Sequence, residues 1–296
     1  MEKQLTKEEY LRAILDRTTY FFSQEELSEI TNATVVIAGV GASGNMVIEL
    51  LARWGISNFR LIDMDKFDLS NVNRQIFATQ STVNKWKTEA AAARIKEINP
   101  FANIEMIFNE KISKGNGEAL IRGANLVINA SDTRSSFLIL HKFAQKYKVP
   151  LIEGHGWQMT GVKIRVFDYR SPVQRGIDEP FPFKILNRFA ARFIDATKKD
   201  FEKMSDEEIE CLDKQTNYSG GSLGTTTSLV GALIVTEVIK LLTGRGKLIC
   251  YPRELYLDMF NHAMRVGNKY SLNNLLFTIR NRKNEILKNI FKNNRN

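Results

Sequence analysis

The chain has 296 residues, 43% of them hydrophobic and 25% charged, an ordinary globular balance and length enough for a substantial core. No apolar run reaches the ~18–20 residues of a membrane span, since the longest candidate, 229–242, is interrupted by Thr236, Glu237 and Lys240; the charged N-terminus lacks the apolar stretch of a signal peptide, so a cytoplasmic protein without membrane contact is expected. The net charge of +9 gathers toward the C-terminus and leaves room for an anionic partner.

In chain order, residues 1–30 form a polar helical segment. Leu11, Ile14 and Leu15 have helix spacing, and Ser23 followed by Glu26 resembles a capping box. Residues 34–38 (TVVIA) are β-branched and apolar, as a buried strand requires. A helix over 43–54 places Met46, Val47, Leu50, Leu51 and Trp54 on one side. The next strand, 59–62, ends at Asp63; an alanine-rich helix over 85–98 is stopped by Pro100. Strands at 104–107 and 126–129, a helix at 135–147, and strands at 150–153 and 161–167 complete a nucleotide-binding domain over 31–170. This alternation predicts an α/β fold, a Rossmann-like doubly wound and mainly parallel sheet that binds ligands at the C-terminal ends of its strands.

The rhythm then breaks. Residues 171–218 read as a crossover insertion with one amphipathic stretch at 184–197. A glycine-rich turn at 218–224 precedes an apolar helix over 225–242 that Gly244 ends. The C-terminal part, 219–296, is expected to add this helix and an antiparallel extension of the sheet, then a basic tail holding Arg280, Arg282, Lys283, Lys288, Lys292 and Arg295. Such a tail attracts nucleic acid, anionic lipid or acidic protein; the simpler reading is a solvated helix, because no aromatic-interleaved motif accompanies the charge. The two cysteines, Cys211 and Cys250, are too far apart for a C-x-x-C half-site, so no structural zinc is expected.

Residues 39–44, GVGASG, are a G-x-G-x-x-G turn between a predicted strand and a predicted helix. Gly39, Gly41 and Gly44 let the backbone approach a phosphate, and the helix start presents free N–H groups and partial positive charge. Asp63 stands about 20 residues on, where an acid accepts from ribose hydroxyls; Asp65 is the neighbouring alternative. The motif by itself suits NAD or FAD as well as ATP.

Four further groups favour ATP. Asn71 and Arg74 lie in SNVNRQ and share one turn, Lys87 opens the alanine-rich helix, and Asp132 follows a strand in ASDTR. Adenylation builds negative charge on phosphoryl oxygens as pyrophosphate leaves; Arg74 and Lys87 can neutralise it, and Asp132 can hold Mg2+. A nicotinamide slot has no use for these cations.

GVGASG, LIDMDKFDLSNVNRQ, the lysine of VNKWKTEAAAARIKEINP, and ASD together resemble the ThiF/MoeB/HesA family, whose signature also occurs in the adenylation domains of ubiquitin-activating enzymes. The similarity runs from about 34 to 167 and resumes over 220–244. It implies ATP as cofactor, with Gly39, Gly41 and Gly44 as phosphate loop, Asp63 on ribose, Asn71, Arg74 and Lys87 on the triphosphate, and Asp132 on Mg2+. It further implies a homodimer in which an arginine of the partner's N-terminal segment, best matched by Arg17, reaches the ATP. The implied substrate is the C-terminal carboxylate of a ubiquitin-like sulfur carrier or a precursor peptide. The alternatives are a member acting on modified tRNA, like threonylcarbamoyladenosine dehydratase, and a nucleotide-binding partner subunit without turnover.

Three departures stand out. The family's four-cysteine zinc site is missing, so the C-terminal sheet is expected to be held by packing alone. The loop ends Ala42-Ser43-Gly44, where Ser43 could cap the helix or touch a phosphate. Cys211 lies in the crossover, where relatives carry a thioester or persulfide cysteine, but Glu208 and Glu210 disfavour its thiolate. His155, expected in a loop past a strand end, is either a substrate contact or a structural hydrogen-bonder; His141 reads as structural.

Overall fold

The computed structural model describes residues 5–157, 160–172, 205, 207, 208, 213, 223–271 and 273. Most of the crossover at 171–218, its amphipathic stretch 184–197, Cys211 and the basic tail residues lie outside the described residues.

Two capped helices come first: α1 (Lys7–Leu15) behind a Thr6/Glu9 capping box and α2 (Gln24–Thr31) behind the expected Ser23/Glu26 box. A single eight-stranded sheet follows, in the order β3-β2-β1-β4-β5-β6-β7-β8. Its strands are β1 (Thr34–Ala38), β2 (Asn58–Ile62), β3 (Asn103–Phe108), β4 (Leu126–Asn129), β5 (Leu151–Trp157), β6 (Gly161–Phe167), β7 (Arg253–Asp258) and β8 (Ala263–Asn268). The first five in sequence pair in parallel; β6, β7 and β8 extend the sheet antiparallel, as the sequence predicts.

Both faces are covered. Helices α3 (Ala42–Arg53) and α4 (Lys87–Ile98) bury Val47, Ile48, Leu51, Ala91 and Ile95 in the core that contains Val35 and Ile37 of β1. Helices α5 (Lys114–Ile121) and α6 (Arg134–Tyr147) bury Leu120, Leu138 and Leu140 in the core that contains Val36 and Ala38. Successive β1 side chains thus enter opposite cores, which is why the strand is apolar throughout rather than alternating.

The sequence reading omits α5, whose KGNGEALI has two glycines and poor helix propensity. A Ser113/Asn116 capping box starts it, and Gly117 is needed where it meets α6: a Cβ there would lie 2.6 Å from Ile139. Helix α7 (Gly224–Thr243) requires a second correction, because by length and composition it does qualify as a membrane span. Here it packs on α3 and on the β5–β6 region. A Cβ on Gly231 would lie 2.6 Å from Met46 Cβ, and one on Gly154 would lie 2.7 Å from Ile234. Its buried Glu237 is satisfied by Lys240 Nζ and the Ile249 N–H.

Packing alone does not hold the antiparallel extension either. Lys163 on β6 pairs with Glu254 on β7 at 3.3 Å, and Arg165 on β6 faces Glu153 on β5 at 3.8 Å, both acids being at most 5% exposed. The expectation was incomplete because cross-strand charge pairing cannot be read before strand neighbours are known.

Candidate active site

The phosphate loop lies at the C-terminal end of β1, at the switch point where β2 pairs on one side and β4 on the other. Gly39 has φ +90°, and a Cβ there would sit 2.6 Å from the Ala130 carbonyl and 2.7 Å from the Ser131 nitrogen. At Gly44 a Cβ would overlap the Gly39 carbonyl oxygen, whereas one at Gly41 meets nothing within 4 Å. Thus two glycines are required by the protein's own backbone, and the middle one leaves open space for a ligand. The first bond of α3 runs from the Asn45 N–H to the Gly41 carbonyl, so the amides at 42–44 have no partner within the helix. Gly41, not Ser43, is the N-cap. Ser43 is the second helical residue, so the capping expectation fails, and its hydroxyl is left for a ligand at the half-buried helix start.

Asp63 holds the loop directly: Oδ2 accepts the Val40 N–H at 2.6 Å and Oδ1 the Asp65 N–H at 2.9 Å. Burial raises its pKa, opposed chiefly by the Lys87 charge. Both oxygens retain a lone pair for a ribose hydroxyl. Asp65, weighed in the sequence as the other ribose acceptor, instead accepts from Lys87 Nζ at 2.7 Å. Lys87 is the first residue of α4 with its side chain 8% exposed. That is the wrong end of a helix for a cation, because the macrodipole is positive there. Asp65 offsets the charge, and a phosphate would do so further.

Residues 70–78 lie beside the loop, joined to it at Phe77 through Asn45. Asn71 is buried, and its Oδ1 accepts the Asp68 N–H, so part of its amide serves the chain itself. Arg74 donates through Nη1 to the Ser70 carbonyl and Asn73 Oδ1, leaving its other nitrogens unbonded among the described residues. The segment is tied to the loop by Asn45, fully buried, whose Nδ2 donates to the Val40 carbonyl at 2.8 Å and whose Oδ1 accepts the Phe77 N–H at 3.2 Å. The start of α7 closes over it, since a Cβ on Gly224 would lie 2.6 Å from the Asn73 carbonyl. Asn45 went unnoticed in the sequence; the available signal was an amide at an otherwise apolar helix position.

The turn after β4 supplies Asp132, exposed and without a hydrogen-bond partner among the described residues. No cluster of three metal-ligating side chains occurs among those residues. A lone carboxylate still fits Mg2+, which takes one or two carboxylates and fills its other positions with phosphate oxygens and water. Beside this turn, at the start of α6, buried Asp213 accepts from the Ser135 N–H at 2.8 Å and Oγ at 2.6 Å, and pairs with Lys111 at 2.5 Å, fastening one point of the crossover next to the site. Arg17 is exposed on the 3-10 turn after α1, which packs near Gly55 at the far end of α3 from the loop. Within one chain Arg17 is therefore kept from the loop.

Behind the Asp132 turn, Glu153 Oε1 accepts from Asn129 Nδ2 and lies 3.1 Å from His141 Nε2, while His141 Nδ1 bonds the Tyr169 hydroxyl at 2.6 Å. His141 is structural, as expected. Burial would raise the Glu153 pKa, but the neighbouring His141 and Arg165 outweigh it and hold the acid at about 2. His155 lies within β5, paired in register with Lys163, rather than in a loop. Burial first, then Arg165 and Lys163 against the pull of Glu153 and Glu254, lowers its pKa to about 4.

Unfolded histidine takes up its proton near pH ~6.5, so the folded state loses stability as pH falls from there toward about 4. The thermal midpoint is expected to drop between pH 7 and pH 5, and less in His155→Gln. Equal drops in both proteins would remove His155 as the cause.

A sequence profile described as the ThiF family matches residues 15–274. Haemophilus influenzae molybdopterin-synthase adenylyltransferase is 28% identical over 258 residues, covering 86% of this chain and 92% of that protein. The tRNA threonylcarbamoyladenosine dehydratase of the same organism is 34% identical over 156 residues, 52% of this chain and only 59% of that protein. Among solved structures, PaaA superposes with TM-score 0.66 at 22% identity, covering 92% of this chain and 77% of the other. Escherichia coli MccB with MccA-N7isoASN gives 0.65 at 17%, covering 90% and 72%.

Proposed function

Because this chain belongs to the ThiF family, we propose that it adenylates the C-terminal carboxylate of a ubiquitin-like sulfur carrier or a peptide, with release of pyrophosphate. The observation that carries this reading is the buried lysine at the wrong end of a helix: Lys87, aimed by Asp65, beside a phosphate loop that Asp63 holds by its backbone.

The carboxylate oxygen attacks the α-phosphorus of ATP, the bond to the β-phosphate oxygen breaks, and pyrophosphate carries away the electron pair. Amides at the start of α3 hold phosphate oxygens with the open side of Gly41 facing them. Asp63 accepts from the ribose hydroxyls. Lys87 and Arg74 offset the charge that grows on the departing pyrophosphate. Asp132 would hold Mg2+, which supplies further charge neutralisation when bound. A second copy of the chain would contribute Arg17, which its own fold places away from the loop.

The carrier or peptide reading is supported by the reach of the similarity, 86% of this chain against 92% of the molybdopterin-synthase adenylyltransferase. The runner-up, activation of a carboxylate on modified tRNA, is favoured by the higher identity over residues shared with the dehydratase and by the net charge of +9.

Exchange of labelled pyrophosphate into ATP is the test. We expect exchange that depends on an added carrier or peptide ending in a free carboxylate. Exchange that only tRNA stimulates would favour the runner-up. Tight NADH binding without ATP binding would overturn adenylation, and ATP binding without exchange under any acyl substrate would point to a partner subunit without turnover.

A further inference from the structure

The phosphate loop rests on the backbone of residues 130–131, where Gly39 makes its close approach. What determines the shape of that turn is therefore part of the site. Asn129 Oδ1 accepts both the Ser131 N–H at 3.2 Å and Ser131 Oγ at 2.7 Å, and Asn129 Nδ2 donates to Glu153 Oε1 at 3.1 Å. A carboxylate can only accept, so it obliges the amide to turn its NH2 inward and present its oxygen to Ser131. Asn129, Glu153 and His141 are 7%, 3% and 2% exposed, so water cannot substitute for a lost partner.

We propose that Glu153 is a positioning residue: through Asn129 it sets the 130–132 turn that supports the phosphate loop and carries Asp132. The inference rests on the adenylation reading for its catalytic consequence, though not for its structural one. An apolar side chain at this place in β5 would fill the space equally well. The acid leaves its Oε2 without a hydrogen bond in the interior, an unfavourable state for a buried carboxylate. An apolar residue could supply neither the bonds to Asn129 and His141 nor the charge facing Arg165, and of these the bond to Asn129 is the one that leads to the 130–132 turn.

The test uses the full chain with Glu153→Met, which keeps the volume and removes the acceptor, and Glu153→Gln, which keeps an acceptor. Two quantities are read: the turnover rate of pyrophosphate exchange at saturating ATP, and amide hydrogen exchange at Ser131 against Val36 and Ile37 in the sheet core, without nucleotide. Glu153→Met should lower turnover at least ~10-fold and speed Ser131 exchange at least ~10-fold, with Val36 and Ile37 unchanged. Glu153→Gln should stay within about threefold of the parent on both counts. Parent-like Ser131 protection in Glu153→Met overturns the proposal, and so does equal loosening of the sheet core, which would make Glu153 an ordinary core residue. If Glu153→Met does not fold, Glu153→Leu, which likewise offers Asn129 Nδ2 no acceptor while leaving Asn129 to hold Ser131, is read by the same measures with the same expectations. Absence of exchange in the parent chain would count against the adenylation reading, while Ser131 protection would still decide the positioning role.

Discussion

Lys87→Met is expected to lower the turnover of pyrophosphate exchange by about 10³-fold, or roughly 4 kcal/mol of transition-state stabilisation. Methionine keeps most of the volume of a side chain that is 8% exposed, so the change chiefly removes a charge. The removed charge is worth much more to a triphosphate shedding pyrophosphate than to Asp65, which is 53% exposed and already solvated. Asp65→Asn should accordingly cost only about tenfold, since it loosens the orientation of Lys87 and leaves its charge. The thermal midpoint of Lys87→Met should change little, because a cation at the first position of α4 is unfavourable to the helix and its loss offsets the lost ion pair. The measurement is steady-state exchange at saturating ATP beside a thermal melt. Turnover within tenfold of the parent would remove Lys87 from the reaction.

Substituting the loop glycines should divide stability from binding. In Gly44→Ala the new methyl overlaps the Gly39 carbonyl oxygen, and neither the start of α3 nor the end of β1 can move without breaking other close contacts. About 3 kcal/mol of stability should be lost, which for a chain of this size lowers the thermal midpoint by roughly 6–12 °C. In Gly41→Ala the methyl enters open space. Its melt should match the parent to within about 1 kcal/mol. Its ATP affinity should fall at least ~10-fold, because the methyl occupies the side from which a phosphate approaches the amides. Isothermal titration and melting of both variants check this. Equal ATP affinity in Gly41→Ala and the parent would mean that no ligand passes over Gly41.

Much of this site is written in short stretches of chain. The turn at 39–44, Asp63 at the end of β2, Lys87 at the head of α4 and Asp132 after β4 all fall where the alternation of strand and helix predicts. Local pattern suffices there because a glycine turn, a helix start and a strand end are each decided by a few neighbouring residues. It fails for α5, whose two glycines look like a loop until α6 is seen to need the space at Gly117. It fails likewise for His155, because nothing nearby in sequence reveals that β5 runs on to Trp157 against its antiparallel partner β6.

The sequence by itself determined the class of fold, which follows from periodicity, and the family, which follows from motifs that span a few residues. Only the tertiary structure decided what each group does when no ligand is bound. It gave Asp65 to Lys87, Asn45 to the two backbone segments it joins, and Glu153 to Asn129, and it packed the apolar α7 against α3. The reason is physical: a hydrogen bond or a buried contact depends on distance in space, and residues 22 to 32 positions apart become neighbours only after the sheet has formed.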